Sequence, residues 1–214
     1  MARTAALRRD QVRQVMKGIV VVGALLFVTL AYQLKWTAPS TALGAAAERG
    51  VPRQRDDAGA RAAFLAAYPV FMHPRCMNCH PAGDAPLQDD DSHPHAQSVK
   101  RGPDGHGKYG MKCNACHQAT NLPGLNMPPG VATWHLAPRQ MVFPGKTPGE
   151  FCRQLKDPRR NGGKNVAGAI AHLEADPLVL WGWSPGEGRS SPPLSHAEFV
   201  QKMREWVNKG AACP

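Results

Sequence analysis

The chain has 214 residues, with 21 Gly, 20 Pro, six Cys and nine His, and a net charge of +10. That length allows one domain, or one domain and a tail. About a fifth of the chain is Gly or Pro, which argues against a regular bundle or sheet, and a hydrophobic content of 43% excludes a disordered chain.

Five basic residues, Arg3, Arg8, Arg9, Arg13 and Lys17, open the sequence against the single acid Asp10. An uncharged apolar run follows at 18–31 and extends, with few interruptions, from Met16 to Leu34. A secretory signal has this layout, and Ala45-Ala46-Ala47 offers a small-residue cleavage site, although far downstream. An uncleaved anchor needs about 20 mostly apolar residues and matches the length better. Tyr32 and Trp36 suit an interfacial belt, and Lys35 can snorkel. Residues 1–36 are therefore expected to form an N-terminal transmembrane helix. Both readings export the rest of the chain. It is placed on the periplasmic side of a bacterial inner membrane, or free in the periplasm if the segment is cleaved. Residues 37–57, rich in Ala, Gly, Pro and charge, read as a linker, and 58–214 as the globular domain. Beyond the first 17 residues no Lys/Arg stripe interleaves with aromatic residues, so nucleic acid is not an expected partner.

The domain opens on an Ala-rich segment, 58–68, with Phe64, Leu65 and Tyr68 on one side and Pro69 as its stop. Two pentapeptides then carry the chemistry: Cys76-Met77-Asn78-Cys79-His80 and Cys113-Asn114-Ala115-Cys116-His117. Each is C-x-x-C-H, the pattern of covalent c-type haem attachment. Two thiols three positions apart on a helical turn reach the two vinyl groups of one porphyrin, and the following His comes under the iron. Cys76, Cys79, Cys113 and Cys116 are thus the expected attachment sites for two covalently bound haem c groups, with His80 and His117 as proximal ligands. A zinc site built from two C-x-x-C pairs does not require His after both, and no βαβ pattern supports a thioredoxin-like site.

The distal ligands are open. His73, His93, His95, His106, His135, His172, His196, Met111, Met127 and Met141 are all candidates. His95, midway between the motifs, stands first; Met141, in an apolar setting, and His172, on a helical pattern, follow. No strand or hairpin is expected between 81 and 146, where loops can pack on porphyrin. Thr147-Pro148-Gly149-Glu150 is a capping box with Pro in first position, opening a helix to about Lys156. Asn165 can cap a helix over 166–174. Ser195-His196-Ala197-Glu198 is a second capping box, leading a helix with Phe199, Val200, Met203, Trp206 and Val207 at core spacing and ending at Gly210. The leftover cysteines, Cys152 and Cys213, are expected to form a disulfide in an oxidising compartment. Trp181-Gly182-Trp183 can pack on a haem edge or form a turn with buried indoles. Arg75, Arg101 and Arg189 can pair with haem propionates or serve the fold. The fold class is mainly α with extensive loops.

Several segments carry a resemblance. The run from His73 to His80, Arg101-Gly102-Pro103-Asp104-Gly105, the second C-x-x-C-H, Trp134-His135-Leu136-Ala137-Pro138, Leu155-Lys156-Asp157-Pro158 and Trp181-Gly182-Trp183 resemble a bacterial family often named isoquinoline 1-oxidoreductase subunit, over residues 69–214. The resemblance implies a c-type cytochrome that accepts electrons from a molybdenum hydroxylase-type dehydrogenase. Met127, in Asn126-Met127-Pro128-Pro129, is similar to the Met loop of small class I cytochromes. The placement of His95 between the two motifs also resembles the small dihaem subunit of periplasmic nitrate reductase, which lacks a counterpart of the C-terminal part of this chain. The expected role is electron transfer to or from a redox partner protein. The alternatives are a peroxidase-like haem enzyme or a haem sensor, each needing an open iron position.

Overall fold

The computed structural model describes residues 55–214, and the expected membrane segment, with most of the linker, lies outside them. Among the described residues no helix is long and apolar enough to cross a membrane. Six α-helices and two minimal hairpins make the fold mainly helical: α1 (Asp57–Phe71), α2 (Pro74–Met77), β1 (Leu87–Gln88), β2 (His93–Pro94), β3 (Gly107–Lys108), β4 (Met111–Lys112), α3 (Pro148–Lys156), α4 (Val166–Ala175), α5 (Pro177–Trp181) and α6 (His196–Asn208).

Helix α1 starts where the Asp56 side chain accepts from Gly59 N at 2.8 Å. It runs through Pro69, the expected stop, and ends at Phe71. Proline removes one helical hydrogen bond, but Val70 and Phe71 beyond it are 0% and 1% exposed, and burying them outweighs that loss. The buried stripe is Ala60, Ala63, Phe64, Ala67, Val70 and Phe71, so Leu65 faces solvent instead of sharing a face with Phe64.

The core forms where α1 meets α3 and α6. Phe71 packs against Phe151 at 4.6 Å and Phe199 at 5.0 Å, and Phe64 against Trp206 at 5.3 Å. Both predicted capping boxes are present: Thr147 N donates to Glu150 and Ser195 N to Glu198, at 2.8 and 2.9 Å. Asn165 caps α4 through Gly168 N at 2.7 Å. Helix α6 buries Phe199, Met203 and Trp206. It closes with paired bonds, Gly210 N to Val207 O and Ala211 N to Trp206 O, around Gly210 at φ 108°, a conformation that favours glycine.

The disulfide joins Cys152 on α3 to Cys213 near the C-terminus, 61 residues apart. By the chain-entropy argument, closing a loop of that length stabilises by about 4 kcal/mol. Cys152→Ser should lower unfolding free energy by roughly that amount in a denaturant titration, and reduction should have no further effect on the variant.

Between 81 and 146, where no hairpin was expected, two antiparallel ladders of two residues each occur. Leu87 and Gln88 face Pro94 and His93; Gly107 and Lys108 face Lys112 and Met111. Strands this short leave no alternating pattern to read. Their importance is positional: β2 ends beside His95, and β4 runs directly into the 3₁₀ turn Cys113–Ala115.

Candidate haem-binding sites

Each C-x-x-C-H lies on a tight helical turn, as the thiol spacing requires. Cys76 is carried by α2, whose N-cap is His73, and Cys113 opens the 3₁₀ turn. The four motif cysteines are free thiols, unlike Cys152 and Cys213. Burial pushes the Cys76 thiol up to about 12 and Cys79 to about 11, and raises Cys113 in the same direction. These thiols are neutral at pH 7.

Each motif opens on its own cavity. The smaller, of about 130 Å³, is lined by Cys76, Cys79, His80, Met141, Phe143 and His172, among others. The larger, of about 400 Å³, is lined by Cys113, Cys116, His117, His95, Trp134 and Trp181, among others. Cys79, Arg75 and His135 belong to the walls of both. The Trp181-Gly182-Trp183 pair divides between them. Trp181 lines the larger cavity and donates to Asn121 at 2.9 Å; Trp183 lines the smaller and donates to Leu194 O at 2.8 Å.

The two motif histidines are held by one device used twice. His80 Nδ1 lies 3.0 Å from Met141 O, and His117 Nδ1 lies 2.7 Å from Pro129 O. A carbonyl only accepts, so each ring carries its proton on Nδ1 and presents a lone pair on Nε2. An aromatic ring stacks flat on each imidazole: Phe143 on His80 at 3.7 Å and 11°, Trp134 on His117 at 4.4 Å and 10°. Burial lowers both histidines, His80 to about 3, so both are neutral, the form that binds a metal.

The distal candidates separate by position. Two imidazoles binding one metal from opposite sides through nitrogens at about 2 Å place their centroids about 6 Å apart. His95 and His117 stand 6.2 Å apart with planes at 67°. His95 Nδ1 is buried and has no hydrogen-bond partner. On the smaller cavity, His172 Nδ1 pairs with Asp176 Oδ2 at 3.1 Å, so Nε2 is the nitrogen that could bind a metal. Burial lowers His95 and His172 as well. The Met141 side chain lines the smaller cavity, while its own carbonyl is the anchor of His80.

The remaining candidates have other surroundings. His73 is engaged at both nitrogens, by Arg75 N and Ser190 Oγ. His93 pairs with Asp91 at 2.7 Å, and His196 with Leu173 O at 2.9 Å. His106 Nδ1 donates to Trp134 O. Met111 and Met127 are 46% and 41% exposed, Met111 on the wall of the larger cavity. His135, which the sequence did not distinguish, has Nδ1 on Thr133 O and reaches both cavities. Phe143 and Trp134, the carbonyls of Met141 and Pro129, and Asp176 were also missed. Only Asp176 had a local signal, its i,i+4 spacing from His172.

A pair of thiols, a neutral histidine with its outer nitrogen free and a buried imidazole nitrogen without a partner match the donor set of covalent haem. The larger site has all three, and the smaller has thiols, anchored His80 and carboxylate-backed His172. Among the described residues no cluster of three or more His, Cys, Asp or Glu forms a site for a bare metal ion. The chain matches no protein-family model, no curated protein and no solved structure.

Proposed function

We propose that the chain is an exported dihaem c-type cytochrome that carries electrons, tethered to the periplasmic face of the inner membrane by its N-terminal segment. The observation that carries this reading is the repeated histidine device: two C-x-x-C-H motifs, each on its own cavity, each with Nδ1 tied to a backbone carbonyl and a flat ring behind it. Bound there, haem iron supplies a one-electron couple whose potential follows its axial ligands and burial. Cys76 and Cys79 hold one group, and Cys113 and Cys116 the other. His80 and His117 are the proximal ligands, and the carbonyls behind them fix ring orientation.

With haem bound, His95 would be the second protein ligand at the His117 site. His172, backed by Asp176, would serve at the His80 site, where Met141 and His135 are the other candidate ligands on the wall. Two protein ligands at each site would suit outer-sphere transfer, because an iron so held would need no substrate in its coordination shell. The separate thiol pairs favour haem over a four-cysteine zinc site.

The redox partner meets the larger site. Of the six exposed large apolar side chains among the described residues, Tyr109, Met111, Leu125 and Met127 stand on the two loops flanking that cavity. An apolar rim of this kind suits a small transient contact. The resemblance to isoquinoline 1-oxidoreductase cytochrome subunits supplies the class of donor, a molybdenum hydroxylase-type dehydrogenase, with the respiratory chain as acceptor.

Reduced-minus-oxidised spectra with and without carbon monoxide test the carrier reading. A carrier shows c-type bands that carbon monoxide leaves unchanged; stoichiometric binding at one haem favours the enzyme or sensor instead. N-terminal sequencing of the mature protein tests the tether. A start at Glu48 means a cleaved signal, and an intact N-terminus in the membrane fraction supports the anchor.

A further inference from the structure

Two arginines are buried among the described residues, Arg75 and Arg101. Arg101 Nε is also buried without a hydrogen-bond partner, but it lies 4.0 Å from the Asp84 carboxylate, its terminal nitrogens donate to Ala137 O and Gly83 O, and it lines neither cavity. Arg189 lines the larger cavity, but it spends its terminal nitrogens on Pro185 O and Met127 O. Arg75 is different. Its side chain is 2% exposed, it lies on the wall of both cavities, and only one contact, to Asp90, is made by its terminal nitrogens. Its Nε is buried with no hydrogen-bond partner.

A guanidinium stays charged in a protein interior, so an unpaired donor there carries a desolvation cost. Asp90 offsets only part of it. That carboxylate is half-exposed and also accepts from Ser190 N at 3.0 Å. Gly182 lies beside the base of the Arg75 side chain: a Cβ there would sit 3.6 Å from Arg75 Cβ, an ordinary contact. A buried cation with a free donor, on the wall shared by two cavities, calls for an anion.

We infer that Arg75 is the anion-binding residue common to both sites: its free Nε donates to a carboxylate of the prosthetic group in one cavity, and its charge acts on both. This deepens the proposed function and rests on it. The ligand chemistry is a carboxylate, which the propionates of haem supply. A fixed positive charge in a low-dielectric wall favours the electron-rich state of any redox centre beside it. Arg75 therefore raises the potentials of both sites together, a positioning and tuning role that keeps the two couples matched.

The test is spectroelectrochemical titration of the purified holoprotein and its variants. Arg75→Leu should lower the reduction equilibrium constant of each haem tenfold or more, where a tenfold change is about 59 mV for a one-electron couple. Arg75→Lys keeps the charge and should shift both far less. Asp90→Asn removes the partial neutralisation and should raise both potentials. It reads the same electrostatics if Arg75→Leu fails to fold or to load haem. A merely structural Arg75 would lower thermal stability without potentials that follow the sign of the charge. Parental potentials at both haems in Asp90→Asn and in any foldable Arg75→Leu overturn the inference. A shift confined to one haem overturns the shared role. An absence of covalent haem in the parent, seen by intact mass, is instead the failure of the proposed function.

Discussion

Intact-mass measurement of the purified protein should give the polypeptide plus two haem groups. The four motif cysteines form no disulfide while Cys152 and Cys213 are joined, and each motif pair opens on a cavity that also holds an anchored histidine. Cys116→Ser should leave one securely attached group, at the Cys76/Cys79 site, and Cys79→Ser the converse. The two losses differ in consequence. Cys79 lies on the wall of both cavities, whereas Cys116 is exposed at the edge of one. Loss at Cys79 should therefore disturb the spectrum of the remaining haem, and loss at Cys116 should not. A purified protein that contains zinc and no haem overturns the cytochrome reading altogether.

His95→Ala should convert one haem to a high-spin form that binds one equivalent of carbon monoxide, with no binding expected in the parent. The 6.2 Å separation of the His95 and His117 rings and the unpartnered Nδ1 of His95 motivate this expectation. His172→Ala should do the same at the other site. The double variant should bind two equivalents. If His172→Ala leaves its site closed to carbon monoxide, Met141→Ala and His135→Ala identify the group that fills it, since both line that cavity. Asp176→Asn provides a graded control: weakening the carboxylate behind His172 Nδ1 should loosen that ligand, by about 10- to 100-fold in affinity for second-shell changes of this kind, without opening the site fully. A parent that already binds carbon monoxide at one haem removes the carrier reading and leaves the enzyme or sensor.

The sequence by itself determined what acts over a few residues. The two C-x-x-C-H motifs, the capping boxes at Thr147 and Ser195, the Asn165 cap and the glycine closing α6 are legible because donor and acceptor, or thiol and thiol, are at most five positions apart. The Cys152–Cys213 pair was legible by elimination, once four cysteines were committed to the motifs. Tertiary structure decided the rest, because the contacts involved are distant in sequence. Helix α1 passes through Pro69 because Val70 and Phe71 are buried against α3 and α6, a gain that no local propensity contains. The carbonyl that anchors His80 comes from Met141, 61 residues away, and the one that anchors His117 from Pro129, 12 residues away. The seven histidines outside the two motifs have nearly the same standing in the sequence. Which of them faces His117, which is backed by a carboxylate and which merely caps a helix depend on two-residue hairpins and loop closures held by backbone bonds between distant segments. Arg75 shows the same limit: one residue before Cys76 it could have been a surface charge, and only the packing of α2 beneath Gly182 puts it inside, between the two cavities.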